Sequence, residues 1–348
     1  MQPVRTGLIG VGWWGGELLR GARASGAVDI VSCHSRTADA RERFAAEHGL
    51  AAVDDLASML ADPELEAVMI VTPHSTHTEL VVAACQAGKH VFVEKPFTLS
   101  VADGKRCVQA ADAAGVVLQV GHQRRRQPAN RRIRAMIDNG ELGTVVALEA
   151  NYSSPGGGGR TDPDNWRQDP EERPLSGLTP FGVHVIDTFH SFVGPITEVS
   201  ALAARPVGVT GLDDAAVLGF RFATGAVGTL LTSTTVPTTN RVGVLGTGGA
   251  AWNEQDGKRL LVQSVSERAP RGEQVEPFDV IADQLAEFGR CVRAGDRPEV
   301  DGYAGMAVAA VVEAALQAQV AGGTVLVQPT QSDDSASPKP SKNPPGIS

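Results

Sequence analysis

Several features that would point to particular partners are missing from this 348-residue sequence. Its formal net charge is −9, and both nucleic acid and anionic membranes favour a basic surface, so neither is expected as the main partner. The four cysteines show no C-x-x-C spacing, and we interpret them as reduced thiols of a cytoplasmic protein. His74 and His77 are three residues apart, but no neighbouring cysteine or carboxylate completes a metal-binding set. No metal site is therefore expected.

Targeting segments and long apolar runs are also missing. The chain enters a predicted strand within four residues, so no signal peptide is expected, and no apolar run is expected to reach membrane-spanning length. With 42% hydrophobic and 20% charged residues, a chain of this length is expected to form two globular domains. Residues 331–348 hold almost no aliphatic side chains, which predicts a disordered tail or, alternatively, a partner-binding tail.

A glycine motif near the N-terminus is the first feature that indicates a function. A predicted strand over Val4–Ile9 leads into Gly10-x-Gly12-x-x-Gly15 and then into a helical pattern. In this context the first glycine makes a turn, the second lets the backbone approach a pyrophosphate, and the third packs helix against strand. An ordinary glycine-rich turn is the alternative. The residues expected to contact a dinucleotide here are Gly10, Gly12, Trp13, Trp14 and Gly15.

The end of the second predicted strand bears on the choice of dinucleotide. NAD sites usually place an acidic residue about 20 positions past the glycines, and no acid occupies residues 32–37. Ser35 and Arg36 stand there instead, and a hydroxyl with a guanidinium suits a 2′-phosphate. We therefore expect NADP to be preferred over NAD. The alternative is that Arg36 is solvated and that the site tolerates both cofactors.

Up to about residue 121, apolar strands alternate with helices. This pattern predicts a Rossmann-type, doubly wound parallel sheet of the α/β class, with ligands at the carboxyl ends of its strands. The same edge then collects further candidate cofactor contacts, which are Thr72, Pro73, His77, Glu94 and Lys95.

From residue 122 to residue 330 the pattern changes. A long loop spans 153–176, a helix is predicted over 179–193, and six strands then follow without intervening helices. This order predicts an α+β domain with a large, open, mostly antiparallel sheet, closed by helices over 278–294 and 303–321. The expected domains are thus 1–121 for the dinucleotide and 122–330 for substrate and oligomerisation.

Several motifs occur together in an order that resembles the Gfo/Idh/MocA family, named after glucose–fructose oxidoreductase and inositol dehydrogenase. The resemblance covers about residues 4–327. The segments that carry it are Val71-Thr72-Pro73 with His77, Gly88-Lys89-His90-Val91 leading into Glu94-Lys95-Pro96, Asn139-Gly140-Glu141-Leu142-Gly143, and Gly182-Val183-His184-Val185-Ile186-Asp187.

The resemblance implies hydride transfer between nicotinamide and a hydroxyl or ketone of a sugar, inositol or related cyclic polyol. The residue types agree, because a lysine can stabilise a developing oxyanion and exchange a proton with it. Lys95 is the candidate for this role, and Glu94 either orients it or contacts the nicotinamide ribose. The resemblance also suggests a cis peptide bond before Pro96.

His184 is the second candidate for proton transfer. Asp187 lies one helical turn later and shares its face, so it could orient the imidazole or bind substrate hydroxyls. A hydrogen-bonded core histidine is the alternative for His184. Other candidate substrate contacts are His122, Tyr152, Trp166 and Arg167, of which the last two could instead pin the long loop.

One position departs from the family. Many members have an aspartate four residues before the histidine, where this chain has Pro180. Either His184 acts without that partner, or Asp187 substitutes, or dehydrogenase activity is altered or lost; Asp162, Asp164 and Asp169 could also supply a carboxylate.

Two other functions remain open at the level of sequence. One is a nicotinamide-dependent glycosidase or lyase with transient oxidation, and the other is a non-catalytic, ligand-sensing relative. Because an open sheet needs its second face covered, a homodimer or homotetramer is expected.

Overall fold

The computed structural model describes residues 2–155, 165–175, 177–208 and 211–330. The loop glycines 156–159, Asp162, Asp164 and the predicted tail 331–348 lie outside this described part. The first domain contains a six-stranded sheet whose strands are all parallel and follow the order β3-β2-β1-β4-β5-β6. Its strands are β1 (Val4–Ile9), β2 (Val28–His34), β3 (Ala51–Val53), β4 (Ala67–Ile70), β5 (His90–Val93) and β6 (Leu118–Val120).

Helices connect these strands and confirm the doubly wound α/β prediction. The strand order reverses between β1 and β4, so the crevice at their carboxyl ends is where such folds hold ligands. The connecting helices are α1 (Trp13–Ser25), α2 (Ala38–His48), α3 (Leu56–Ala61), α4 (His77–Gln86) and α5 (Val101–Ala114). Three of them end at a glycine with positive φ, including α1 at Gly26 and α5 at Gly115.

The second domain is built on a nine-stranded sheet in the order β14-β13-β12-β11-β7-β10-β9-β8-β15. Every neighbouring pair is antiparallel except β7 with β10. This confirms the predicted open, mostly antiparallel sheet. Its strands are β7 (Val145–Ser153), β8 (Ile196–Ala204), β9 (Ala215–Phe222), β10 (Val227–Ser233), β11 (Thr239–Gly246), β12 (Gly249–Glu254), β13 (Arg259–Ser264), β14 (Arg271–Glu273) and β15 (Thr324–Leu326).

Four further helices lie within residues 122–330: α6 (Pro128–Asp138), α7 (Val183–Val193), α8 (Val280–Ala294) and α9 (Gly302–Ala321). The predicted helix over 179–193 is composite, because a π-helical turn over Leu178–Gly182 precedes α7. The short strand β14 was not predicted from the sequence. Neither was the 3₁₀ turn Gln123–Arg126 that links the two domains.

Helix α8 packs on the first domain, although the sequence-based boundaries placed it in the second. Leu285 and Phe288 are fully buried in the same cluster as Leu8 and Leu18. The approach is close, since a Cβ on Gly21 would meet Ile281 Cγ2 at 2.4 Å. The periodicity of an amphipathic helix shows that it has an apolar face, but not which sheet that face covers.

Helix α9 corrects a second expectation. By length and composition alone, its 20 residues could cross a membrane, so an apolar segment of that length is present after all. Its buried side, which includes Val308, Val311 and Ala315, belongs to the core of the second domain, and Met306 joins a core of the first. A core helix passes the same length test, and α9 packs here against α5, α7 and β8.

Candidate active site

The glycine turn after β1 has the shape that a dinucleotide requires. Gly10 has φ of +106°, and a Cβ there would lie 2.6 Å from the Val71 carbonyl oxygen. A Cβ on Gly15 would lie 2.7 Å from the Gly10 carbonyl oxygen, so α1 can approach the turn only without a side chain there. Above Gly12 there is open space within 4 Å. The three glycines thus supply the turn, the open approach and the close packing that the motif predicted.

The N-terminus of α1 faces this open space. Gly12 is its N-cap, with no side-chain capping bond and no acidic residue in the first turn. Free backbone N–H groups at a helix N-terminus favour an anion, and a dinucleotide pyrophosphate fits there. Trp13 is 77% exposed beside the turn, and its ring centroid lies 5.3 Å from that of Trp14.

Ser35 and Arg36 lie next to the glycine turn. The backbone N–H of Gly10 donates to the His34 carbonyl oxygen over 2.9 Å, which holds the end of β2 against the turn. The guanidinium of Arg41 donates to the Ser35 carbonyl oxygen over 2.9 Å and holds the backbone there. The Arg36 side chain is exposed and pairs with no carboxylate in the described part of the chain. It is therefore available to an anionic ligand at this edge.

The ends of β4 and β5 are joined by His77. Its Nδ1 lies 3.0 Å from the Pro96 carbonyl oxygen, and its Nε2 lies 3.1 Å from the Thr72 carbonyl oxygen. The ring is fully buried, and burial lowers its pKa. Both ring nitrogens face the protein backbone, so His77 holds the two strand ends together, which differs from the cofactor contact expected from the sequence. Thr72 and Pro73 remain at the predicted edge, beside Val71 and Gly10.

Glu94 and Lys95 follow β5, and the Lys95–Pro96 peptide bond is cis, as the resemblance implied. A Cβ on Gly121 would lie 2.7 Å from Glu94 Oε1, so the carboxyl group packs directly on the end of β6. Burial raises the pKa of Glu94, against the opposing effects of Trp14 and Lys95. Glu94 Oε1 has no hydrogen-bond partner among the described residues, which leaves an acceptor at the position where a ribose hydroxyl is expected.

Lys95 reaches from the first domain to the second. Its Nζ donates to the Pro180 carbonyl oxygen over 3.1 Å. The pKa of Lys95 is lowered from 10.5 to about 8, chiefly by burial; Arg124, Arg167 and Arg173 contribute to the lowering, whereas Glu94 opposes it. A lysine in this state exchanges protons near neutral pH.

His184 lies on α7, the helix that follows this contact. The imidazole is buried, its Nδ1 has no partner in the described structure, and burial lowers its pKa well below the usual value. The His122 ring packs against it at a centroid distance of 5.6 Å and an interplanar angle of 88°. The positive charges of Lys95 and Arg124 lower the pKa of His184 further. Its resting form is thus a neutral imidazole.

Asp187 does not take the role that its spacing suggested. Its two carboxylate oxygens accept hydrogen bonds from Arg125 Nε and Nη2 over 2.8 and 2.5 Å. Both side chains are largely buried in this ion pair. The carboxylate is therefore committed to Arg125, and it makes no hydrogen bond to His184.

The described part of the long loop, residues 165–175, docks on the end of β4. The carboxylate of Glu172 accepts from the Ser75 backbone N–H over 3.1 Å, and its carbonyl oxygen lies 2.8 Å from His74 Nδ1. The Trp166 ring packs edgewise on His74 at 4.8 Å, and the Arg167 guanidinium stacks on Trp166 at 4.3 Å. This arrangement brings the predicted pair to the same strand edge as Lys95.

Tyr152 lies on β7 and is a neighbour of His184. Its hydroxyl donates to Asp256 Oδ1 over 3.0 Å, and Arg124 stacks on its ring at 4.6 Å while forming an ion pair with Asp256. These three side chains and His184 line one small cavity.

Several of these neighbours were not predicted from the sequence. Glu172 and Asp256 lie in loops, where acidic residues are common, so nothing in their local pattern marks them. Arg124 and Arg125 belong to a run of three arginines that could have indicated partners for buried carboxylates. Within the described residues, no group of three or more His, Cys, Asp or Glu side chains could hold a metal ion.

Comparison with known proteins agrees with this geometry. Residues 4–122 match the GFO_IDH_MocA model, described as an oxidoreductase family with an NAD-binding Rossmann fold, and residues 130–252 match a GFO/IDH/MocA C-terminal domain. The 1,5-anhydro-D-fructose reductase of Ensifer adhaerens is 30% identical over 335 residues, which cover 91% of this chain and 98% of the relative. The chain belongs to the Gfo/Idh/MocA family.

This member of the family is an NAD(P)-dependent dehydrogenase or reductase. The myo-inositol 2-dehydrogenase of Thermotoga maritima is 28% identical over 274 residues, 73% of this chain and 77% of the relative. A levoglucosan dehydrogenase solved with NADH and L-sorbose has the same fold, with a TM-score of 0.87 at 21% identity over 94% of this chain and 99% of the other. Relatives named for NADP(+) and for NAD(+) both occur.

Proposed function

We propose that this family member transfers hydride between nicotinamide and a hydroxyl-bearing carbon of a sugar, inositol or related cyclic polyol, with Lys95 and His184 as the proton-transfer groups. The observation that supports this most directly is the contact of Lys95 Nζ with the Pro180 carbonyl oxygen. It brings a buried lysine with a lowered pKa to the start of the helix that carries a buried, neutral histidine.

The two side chains have complementary roles. When bound, the nicotinamide accepts or supplies the hydride. In alcohol oxidation the hydroxyl proton must leave as the hydride departs, and the neutral amine of Lys95 accepts it. In the reverse direction the ammonium form donates that proton and stabilises the oxyanion. The neutral imidazole of His184 holds the same hydroxyl by a hydrogen bond and relays this single proton between the hydroxyl and Lys95.

The preference for NADP rests on Ser35 and Arg36. The Gly10 N–H holds the end of β2 beside the glycine turn, which supports a contact of these two residues with the adenosine ribose. An exposed guanidinium without a carboxylate partner is suited to a 2′-phosphate. Glu94, with an unpaired carboxyl oxygen, is the candidate for the nicotinamide ribose.

The substrate is held from the second domain. Trp166 supplies an apolar face on which a sugar ring can stack, and the adjacent guanidinium of Arg167 donates hydrogen bonds to its hydroxyls. Tyr152 and His184 line one cavity. These are positions at which a cyclic polyol would contact the protein while its reacting carbon lies by Lys95.

The outer face of the large sheet supports self-association. Leu202, Val217 and Leu231 are opposite one another on β8, β9 and β10, and all three are exposed. This apolar row suits the homodimer or homotetramer that we propose, because a second copy would cover it. Light scattering measures the mass of the parent and of a variant with both Leu202→Lys and Val217→Lys. The parent is expected to be a dimer or tetramer and the variant to dissociate, whereas a monomeric parent would contradict the proposal.

The function is tested with a panel of sugars and cyclitols, each with NADP and NAD in both directions. Absorbance of the reduced nicotinamide gives turnover, and chromatography of the products shows whether the substrate is cleaved. Net cofactor reduction with an intact carbon and glycosidic skeleton is the expected result. Cleavage without net reduction would instead identify the glycosidase or lyase alternative, and dinucleotide binding without turnover would identify a ligand-sensing relative.

A further inference from the structure

A role for His122 follows from the proposed role of His184 and rests on it. In the described part of the chain, the His184 imidazole has no carboxylate partner. Pro180 stands where many family members have an aspartate, and Asp187 is committed to Arg125 by two hydrogen bonds. Across the described residues, no carboxylate oxygen makes a hydrogen bond to His184. Another side chain must therefore orient the His184 ring if one of its nitrogens is to face the substrate.

His122 is the side chain that contacts the ring. It follows β6 directly, and the perpendicular packing of the two imidazoles is the edge-to-face arrangement that aromatic rings prefer. Both residues are almost completely buried, at 1% and 3% exposure. The contact fixes the plane of the His184 ring without a hydrogen bond.

Three ring nitrogens in this contact are buried without a described hydrogen-bond partner. They are both nitrogens of His122 and Nδ1 of His184. Burying polar atoms in this way destabilises a fold, and a phenylalanine at 122 would avoid the cost. Unsatisfied buried polar groups of this kind are typical of functional sites.

The charges around the pair act differently on its two members. Burial lowers the pKa of His122 to about 4, the negative charge of Asp187 opposes this shift, and Arg125 and Lys95 add to it. The charged groups that act on His184 are all positive. Both imidazoles are therefore neutral at rest, and of the two only His122 has a negative charge, that of Asp187, acting on it.

We propose that His122 is the positioning residue of His184: its buried imidazole packs edge to face on the catalytic ring, selects its tautomer and keeps it neutral, in place of the family carboxylate at position 180. Asp187 then acts on His184 only through His122.

The test compares His122→Phe with the parent enzyme. Phenylalanine keeps the ring contact and removes the two unpartnered nitrogens, so the variant is expected to be as stable as the parent or more so. Its kcat is expected to fall by about 10-fold to 100-fold, with KM and the Kd for NADPH within about twofold. If His122 had only a structural role, the variant would instead be less stable than the parent. If it had no role, both the stability and the kcat of the variant would be unchanged.

His190→Phe is the matched control, because His190 lies on the same helix and also has an unpartnered, buried ring nitrogen. It is expected to leave kcat unchanged. A His122→Phe variant with unchanged kcat overturns the proposal, and so does one whose lost activity follows a lower Tm.

Nitrogen chemical shifts of ¹⁵N-histidine-labelled protein give a readout that does not depend on turnover. The tautomer populations of His184 are expected to differ between the parent and His122→Phe, and to be the same in His190→Phe. Unchanged populations would overturn the proposal even if no substrate were found. Failure of the proposed function is separate, since it would appear as absent turnover in the parent.

Discussion

Lys95 Nζ donates a hydrogen bond over 3.1 Å to the carbonyl oxygen of Pro180, the residue that stands where many relatives have an aspartate. The backbone thus supplies an acceptor at a position where the side chain cannot. A carbonyl oxygen orients an ammonium group, but it carries no charge and cannot take its proton. The proton-transfer chemistry of this site therefore depends on Lys95 and the neighbouring imidazoles.

Replacing Lys95 with methionine is expected to lower kcat by about a thousandfold, because the proton-transfer group is lost while the side-chain volume is kept. The Kd for NADPH, measured by fluorescence titration, should change little. Lys89→Met is the matched control: Lys89 is also buried and donates to two backbone carbonyl oxygens, but it lies away from the site. That variant is expected to lose stability and retain the kcat of its folded fraction. Full turnover in Lys95→Met would contradict the assignment.

The pH dependence should follow the lowered pKa of Lys95. Because the amine must be neutral to accept the hydroxyl proton, kcat/KM for oxidation should rise with pH and level off above about 8. The reverse reaction needs the ammonium form, so its kcat/KM should fall over the same range. Initial rates in both directions between neutral and alkaline pH test this, and profiles that move together would count against Lys95.

Restoring a carboxylate by Pro180→Asp should raise the pKa of Lys95, since an adjacent negative charge favours the ammonium form. The rising limb of the oxidation profile is then expected to move up by about one pH unit. Pro180→Ala controls for the loss of the proline ring and should leave the limb in place. An unmoved limb in a folded Pro180→Asp variant would show that Lys95 does not set it.

Cofactor choice is tested by Arg36→Ala. Loss of a charged hydrogen bond to the 2′-phosphate should raise KM for NADPH by about 10-fold to 100-fold and leave KM for NADH unchanged. Arg43 is likewise an exposed arginine of this region, further along on α2, and Arg43→Ala is expected to change neither constant. Equal effects on both cofactors would remove the basis for an NADP preference.

The glycine turn offers a paired test within one helix. Gly15→Ala would place a Cβ 2.7 Å from the Gly10 carbonyl oxygen, so it should cost about 1–3 kcal/mol of stability and abolish dinucleotide binding. Gly16→Ala meets no atom within 4 Å and should stabilise α1 by about 0.5–1 kcal/mol. Thermal unfolding and NADPH titration of both variants check this, and normal cofactor affinity in Gly15→Ala would refute it.

Local sequence patterns were sufficient to predict the elements whose stabilising interactions are between residues close in sequence. The strand Val4–Ile9 and the helix Ala38–His48 have the predicted bounds, because apolar periodicity and flanking turn residues lie within the elements themselves. The edge that gathers Gly10, Thr72 and Lys95 followed from parallel β-α alternation, since every such strand ends at the same side of its sheet.

Other features depend on contacts between distant segments. The spacing of His184 and Asp187 predicted a shared helix face, but it could not show that Arg125 takes the carboxylate. His77 looked like a cofactor ligand until the folded chain placed Pro96 and Thr72 against its two nitrogens. The sheet on which α8 packs also could not be predicted from the sequence, because an apolar helix face does not show which apolar surface it will contact.

The sequence by itself determined the fold class, the position of the dinucleotide turn and the identity of Lys95 and His184 as candidates, because period, turn chemistry and motif order are local properties. Only the tertiary structure decided what each candidate touches: the Pro180 carbonyl for Lys95 and the His122 ring for His184. Partners separated by more than 60 residues meet through packing, and packing is a property of the whole folded chain.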